Sequence, residues 1–328
     1  MREIIRGTRS VGLVPLLAVF ALLLWMPGEA AEGARQGLSL CAGVVVPSLL
    51  PFLILSALAA ALGMPAVLAR VCAPLFSLLG IPPVCAAPLL LGLTGGYPVG
   101  AAALAELVRS GALSPEEGAR SLPFCNNTGP GLIVGFVGSG VFGSVRAGLA
   151  LWLCHALAAL MLAALGGRRL SKAPPPLSAA PPEGLAAALP KSVQSAALSM
   201  LSICAYVVFF SVLTGLLRAS GLFSSLAAAL SSLFRGAEMR FFTALLSGLL
   251  ELSTGIGAMR GMPPTPLNAA LAAFLLGFGG LSVHCQTLCA VSSAKIKCAR
   301  HFAGRIVHGF ISALLAFALF TVFRLPQI

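Results

Sequence analysis

Apolar residues run along this chain in blocks of about twenty, the helix length that crosses the hydrocarbon core of a bilayer. The clearest blocks are 38–62, 145–166, 196–217 and 304–323. Short alternating strands of the kind that build a membrane barrel are absent from the pattern. The expectation is an all-α, polytopic helical membrane protein. Its opening, MREIIRGTRS followed by VGLVPLLAVFALLLW and PGEAAEGA, has the three regions of a secretory signal. It is read as cleaved near Ala30 or, the favoured reading in so apolar a chain, kept as a first helix, with 28–37 outside in either case. GGRRLSKAPPPLSAAPPEG, 166–184, is the one long polar and proline-rich stretch and reads as a flexible cytoplasmic linker. Four regions result: 1–37, a signal-like or first helix with an outer loop; 38–166, a first membrane repeat; 167–192, the linker; and 193–328, a second membrane repeat.

The two halves resemble each other weakly. LLPFLILSALAAALG at 49–63 parallels AYVVFFSVLTGLLRASG at 205–221, and both run into a second apolar, amphipathic stretch, 65–80 and 222–234. LLLGLTGGYPVGAAAL is matched by LLSGLLELSTGIGAM, and PFCNNTGPGLIVGFVG by FLLGFGGLSVHCQTLCAV. Shared composition alone is the alternative to a true repeat, but Gly-rich segments in matching order speak for the repeat.

Charge sets the orientation. The excess of +12 falls largely in three clusters: Arg2, Arg6 and Arg9; Arg168, Arg169 and Lys172; and Lys295, Lys297, Arg300 and Arg305. Basic clusters beside spans stay cytoplasmic. Span 145–166 then ends inside, whereas the span after Lys295–Arg305 leaves the cytoplasm, so the repeats are expected to be inverted. Inverted repeats with a midplane site are a recurring architecture of secondary transporters.

Composition narrows the function classes. The chain is 58% hydrophobic and 9% charged, with no Asp among its nine acids, and its mean hydropathy is +1.00. Too little polar surface remains to cover a water-soluble globule. No pattern of aromatic interleaving accompanies the basic residues, which speaks against a nucleic-acid surface. Nine cysteines scattered mostly through apolar segments read as small buried hydrophobes. There is no nucleophile elbow, zinc-protease motif or phosphate loop, so no enzyme is expected.

Candidate chemistry sits where Gly and Pro interrupt apolar segments, because irregular backbone in a membrane is tolerated only inside protein or against a water-filled cavity. Gly92, Gly95, Gly96, Pro98 and Gly100 surround Tyr97, which suits a helix that breaks and restarts at Pro98. In PFCNNTGP, residues 123–130, Asn127 or Thr128 is placed to cap a new half-helix, GPGLIVGFVG, whose free amides point at an anionic or carbonyl group. Asn126 and Asn127 would offer amide donors to a solute, and Thr128 a hydroxyl.

The second half offers ELSTGIG, 251–257, and GGLSVHCQT, 279–287. Glu251, isolated among apolar residues, costs about 2.5–3.5 kcal/mol on insertion scales and is therefore a functional candidate, as proton carrier or hydrogen-bond acceptor. Its alternative is a structural role, protonated or paired with Arg260 or Lys295. Glu106 pairs with Arg109 three residues on, and Glu116 and Glu117 start a helix. His155 is expected to hydrogen-bond a neighbouring helix. His284, Cys285 and Cys289 lack the paired CxxC spacing of a zinc site, so no metal and no cofactor is expected.

GYPVGA at 96–101, FCNNTGP at 124–130 and GGLSVHCQ at 279–286 together resemble the YlbJ family of sporulation integral membrane proteins, within the wider nucleoside-recognition or Gate group. The resemblance covers about 38–320. Signature positions carried over are Gly96, Tyr97, Pro98 and Gly100; Cys125, Asn126, Gly129 and Pro130; and Gly280, Ser282, His284 and Gln286. The family more often reads CNTSGP, so Asn127 and Thr128 are a departure that bears on the solute rather than the fold. The resemblance implies a fold similar to concentrative nucleoside transporters, with re-entrant hairpins and broken helices around a central site. It also implies a role in endospore formation, moving dipicolinic acid across the outer forespore membrane.

The expected function is transport of a small polar solute, foremost dipicolinic acid, by alternating access in a bacterial inner membrane. A nucleoside transporter and a non-transporting gate or scaffold needing a partner are the alternatives. The expected site comprises Gly96, Tyr97, Pro98, Cys125, Asn126, Asn127, Thr128, Gly129, Glu251, Ser253, Thr254, Ser282, His284 and Gln286. A coupling proton or cation and a homo-oligomer are compatible with this reading. No intramembrane Arg clearly awaits a dicarboxylate; Arg260 comes closest.

Overall fold

Lipid offers the backbone no hydrogen-bond partners, so a chain this apolar satisfies its N–H and C=O groups locally, in helices. The computed structural model describes residues 2–78, 81, 83–167, 184–234 and 238–323, among which there are helices and no strands. Arg168, Arg169, Lys172 and most of the proline-rich stretch lie outside the described residues, as do the side chains of Arg2, Arg6 and Arg9.

In the first half, α1 (Arg2–Trp25) precedes α2 (Pro27–Leu40), which passes through a π-helical turn at Cys41–Val45 into α3 (Val46–Ala61). Pro47 has no N–H to give to the carbonyl four residues back, and the wider turn sits directly before it. Next come α4 (Met64–Leu78), α5 (Ala86–Gly95), α6 (Val99–Arg109) and α7 (Pro115–Cys125). The start of α7 is fixed by a capping box between Ser114 and Glu117, as the acidic pair there suggests. A π-helical segment, Gly131–Val141, and the closing helix α8 (Val145–Gly167) complete the half.

The second half opens with a long span α9 (Leu185–Ala219), followed by α10 (Leu222–Leu233), α11 (Met239–Leu250), α12 (Leu252–Ala258), α13 (Pro266–Phe278), α14 (Gly280–Val291) and the closing α15 (Ala299–Phe323). The stretch read as linker, 167–192, is thus shortened at its end. LAAAL after Gly184 is made of strong helix formers and already belongs to α9.

Five stretches among the described residues are long and apolar enough to cross a membrane: 27–61, 145–166, 185–219, 266–294 and 299–323. The chain is a multi-pass membrane protein. The pair Arg70–Leu78 and Pro83–Gly95 bends by 117°, the shape of a broken span or re-entrant loop. All nine cysteines are free, and Cys85, Cys125 and Cys154 are among those buried.

Candidate functional site

Each half contains two helix breaks, and the breaks seat against one another. In the first half α5 ends at Gly95, Gly96 turns at φ +79°, and α6 resumes after a cis Tyr97–Pro98 bond. Gly92 and Gly100 flank this break, and a Cβ on either would stand 1.9 Å from the Cys125 carbonyl oxygen. The end of α7 is therefore wedged between the two arms of the broken helix. In the second half Glu251 separates α11 from α12, and Gly279 separates α13 from α14, which Gly280 opens. Gly280 has φ +75°, and a Cβ there would lie 2.7 Å from the Gly248 carbonyl oxygen, so only glycine fits.

Glu251 is the N-cap of α12. Its carboxylate accepts from the backbone N–H of Ser253 at 3.1 Å and of Thr254 at 2.6 Å. Those two amides belong to the four that a helix start leaves without internal partners. Neither Arg260 nor Lys295 supplies the pairing the sequence suggested. Both are exposed, whereas Glu251 is 2% exposed and faces inward.

Where the breaks of the two halves meet there is a cavity of about 30 Å³. Its polar lining comes from Tyr97, Thr128 and Gly129 on one side and Glu251, Ser253 and Gln286 on the other. Val45 and Leu49, with Ile203 and Val207 of α9, supply apolar wall. The volume is of the order that holds a water or two.

Beside the cavity lies a residue the sequence reading placed at the cytoplasmic surface. Arg305 is fully buried. One guanidinium nitrogen donates to the carbonyls of Pro123 (3.3 Å) and Asn126 (3.0 Å) and to Asn127 Oδ1 (3.4 Å). The other donates to Tyr97 Oη and to the Leu276 carbonyl, the latter at 3.4 Å. The carbonyls belong to the C-terminal ends of α7 and α13, and each such end carries roughly half a negative charge. Two ends together offset about one positive charge, which is how a guanidinium is accommodated here with no carboxylate among its partners. The Leu276 carbonyl also receives the Tyr97 and Thr128 hydroxyls, both at 3.0 Å, so one oxygen of the second half ties down both breaks of the first.

This network corrects two expectations. The basic run from Lys295 to Arg305 is not all surface charge, and the intramembrane arginine is Arg305 rather than the exposed Arg260. The signal was present as spacing: His301, Arg305, His308 and Ser312 fall on one face of α15, and all four are buried.

Six of the expected site residues, Tyr97, Thr128, Gly129, Glu251, Ser253 and Gln286, are brought together at the cavity. The others are placed around it. Asn126 Nδ2 donates to Thr287 Oγ1 at 2.8 Å, and Asn127 Nδ2 donates to the Phe124 carbonyl at 2.7 Å, so both amides serve the fold rather than the cavity. Neither Asn127 nor Thr128 caps the segment after the break; its N-cap is Pro130, with no side-chain hydrogen bond. Thr254 Oγ1 lies 3.4 Å from Ser211 Oγ of α9, and Ser282 Oγ accepts from Gln286 Nε2 at 3.2 Å. Gly96 packs on Gly129, Pro98 precedes α6, and Cys125 contributes the wedged carbonyl.

The histidines lie behind the cavity wall. His284 packs against Phe278 and Phe302, with His301 at 5.4 Å between ring centroids. His155 does contact a neighbouring segment, its Nε2 accepting from the Thr128 N–H at 3.1 Å. His308 Nε2 lies 3.0 Å from the His155 carbonyl. Among the described residues no group of His, Cys, Asp or Glu could hold a metal ion.

Residues 42–167, which hold both breaks of the first half, match the family model Gate, described as nucleoside recognition. The chain is also 28% identical to the sporulation integral membrane protein YlbJ of Bacillus subtilis (strain 168), over 333 residues that cover 92% of this chain and 80% of that protein. The resemblance carried by three short motifs is borne out. No solved structure matches the chain. Gate similarity spans the half that supplies Tyr97, Thr128 and Gly129; Glu251, Ser253 and Gln286 come from the half beyond it.

Proposed function

We propose that this protein carries a small polar solute, foremost dipicolinic acid, across a bacterial membrane during endospore formation, by alternating access of two inverted halves about the central cavity. The observation that carries this reading is the convergence of polar groups from helix breaks of both halves on one small space, with the ionisable Glu251 on its wall. A protein that only filled the membrane would have no need of such breaks, since every interruption leaves backbone groups that must be satisfied. The similarity to a sporulation membrane protein supports the biological setting, and with it the bacterial inner membrane or the outer forespore membrane as the location.

A cavity of about 30 Å³ is far below the roughly 300–1,000 Å³ of sites that enclose small organic ligands. The conformation described is accordingly a closed one, and solute enters only when the halves part. A dicarboxylate beside Glu251 meets like charge, so the carrier reading requires Glu251 to take up a proton or a cation as the solute binds. Arg305, already engaged by two helix ends, positions the breaks and does not wait for the solute.

A nucleoside is the second reading. The description of the matching family favours it, as does the Glu251 carboxylate, a ready acceptor for ribose hydroxyls. Uptake of radiolabelled dipicolinic acid and of uridine into proteoliposomes separates the two. The carrier reading expects dipicolinate uptake that is lost in Glu251→Gln and Ser253→Ala. Uridine uptake alone would replace the solute, and a well-folded protein that moved neither, with or without a proton gradient, would leave the partner-dependent gate.

A further inference from the structure

With Arg305 drawn into the interior, Lys295, Lys297 and Arg300 remain at the surface, and they line a cleft of about 480 Å³ against the start of α7. A second space of about 320 Å³ adjoins it through Arg300 and adds Arg120 and Leu165. Among the described residues lining the two spaces there are thus four cations and one carboxylate, Glu116, which lies 2.8 Å from Arg120 and 3.9 Å from Arg300. Lys295 and Lys297 are exposed and make no ion pair among the described residues. The cleft is strongly basic and its lysines are unengaged.

An apolar surface adjoins it. Leu165 is 67% exposed, and at successive steps of four along α8 Met161 and Leu157 are exposed as well, so a greasy stripe runs from the cleft down the outside of the helix. The basic residues put this end of α7, α8 and α15 on the cytoplasmic side by the positive-inside rule. A phosphate oxyanion matches the cleft, and acyl chains match the stripe below it. We propose that the cleft binds the headgroup phosphate of an anionic phospholipid of the cytoplasmic leaflet, with the chains lying along Leu157, Met161 and Leu165. Basic pockets between helices on that side are a recognised setting for such headgroups. The stripe is what favours a lipid over a free phosphate, which has no chains to lay on it. The proposal is independent of what the central cavity carries.

Native mass spectrometry of the detergent-purified full chain, titrated separately with phosphatidylglycerol, phosphatidylcholine and inorganic phosphate, tests it. Phosphatidylglycerol is expected to be retained and phosphatidylcholine to be released. Each removed cation lowers anionic-lipid affinity roughly fivefold, so Lys295→Gln combined with Lys297→Gln should weaken retention about 30-fold, while Arg300→Lys, which keeps the charge, stays near wild type. Should the double variant fail to fold, Lys297→Gln alone, expected about fivefold weaker, takes its place. Equal retention of the two lipids, or unchanged retention in the lysine variants, overturns the proposal. Binding of inorganic phosphate without retention of lipid overturns the assignment to a membrane headgroup.

Discussion

Replacing Arg305 with methionine separates a structural guanidinium from one that waits for a solute. The substitution keeps the length of an unbranched side chain and removes donors to Pro123, Asn126, Asn127, Tyr97 and Leu276. The Leu276 carbonyl keeps its Tyr97 and Thr128 donors, so the loss falls mainly on the other four acceptors. Polar contacts inside membrane proteins are worth roughly 0.6 kcal/mol on average and at most about 1.7 kcal/mol each. Four of them come to about 2–7 kcal/mol, less what is regained by no longer burying a charge. Thermal unfolding of the purified protein, followed with a thiol-reactive dye that reports exposure of Cys85, Cys125 and Cys154, should show a lowered unfolding midpoint, the loss lying below the roughly 7 kcal/mol that four such contacts set. Arg305→Lys, which holds the charge but cannot span both helix ends, should fall between methionine and wild type. A methionine variant as stable as wild type would refute the stapling role, since a cation held in reserve for an anionic solute is costly without it and its removal would be neutral or stabilising.

Other perturbations follow from the same geometry. Gly100→Ala drives a methyl into the Cys125 carbonyl at 1.9 Å, and the variant should fail to yield folded, monodisperse protein; normal yield and unfolding midpoint would contradict the close seating of the breaks. Asn126→Ala removes the donor to Thr287 and should lower stability by about 0.6–1.7 kcal/mol, while folded protein keeps its solute affinity; loss of affinity at unchanged stability would return Asn126 to the cavity. Ser114→Ala opens the capping box at the start of α7 and should cost about 0.5–2 kcal/mol, read as faster backbone hydrogen exchange confined to Glu116–Gly118.

The spans were legible because lipid imposes one length and one composition on whatever crosses it. The breaks were legible because Gly and Pro clusters such as GGYPVG have little reason to interrupt an apolar helix otherwise. Glu251 stood out by isolation, yet its partners did not: a capping carboxylate is satisfied by the amides of Ser253 and Thr254 immediately after it, so no distant cation is needed. The amides of Asn126 and Asn127 suit a solute or a neighbour equally well, and only the packing of Thr287 and the end of α7 decides between them. Arg305 was hidden by its company. Following Lys295, Lys297 and Arg300, it extended a basic run that orientation rules explain, and only the helical face shared with His301, His308 and Ser312 sets it apart.

Access to Ser253, which lines the cavity opposite Thr128, tests most directly whether this space is the solute site of an alternating carrier. Ser253→Cys, in a background with Cys72, Cys204, Cys285 and Cys289 replaced by Ser, is labelled in oriented proteoliposomes with a membrane-impermeant thiol reagent applied from one side and then the other. Labelling from both sides, slowed by the transported solute, is the expected result. Labelling from one side only, or none from either with solute present or absent, would contradict it.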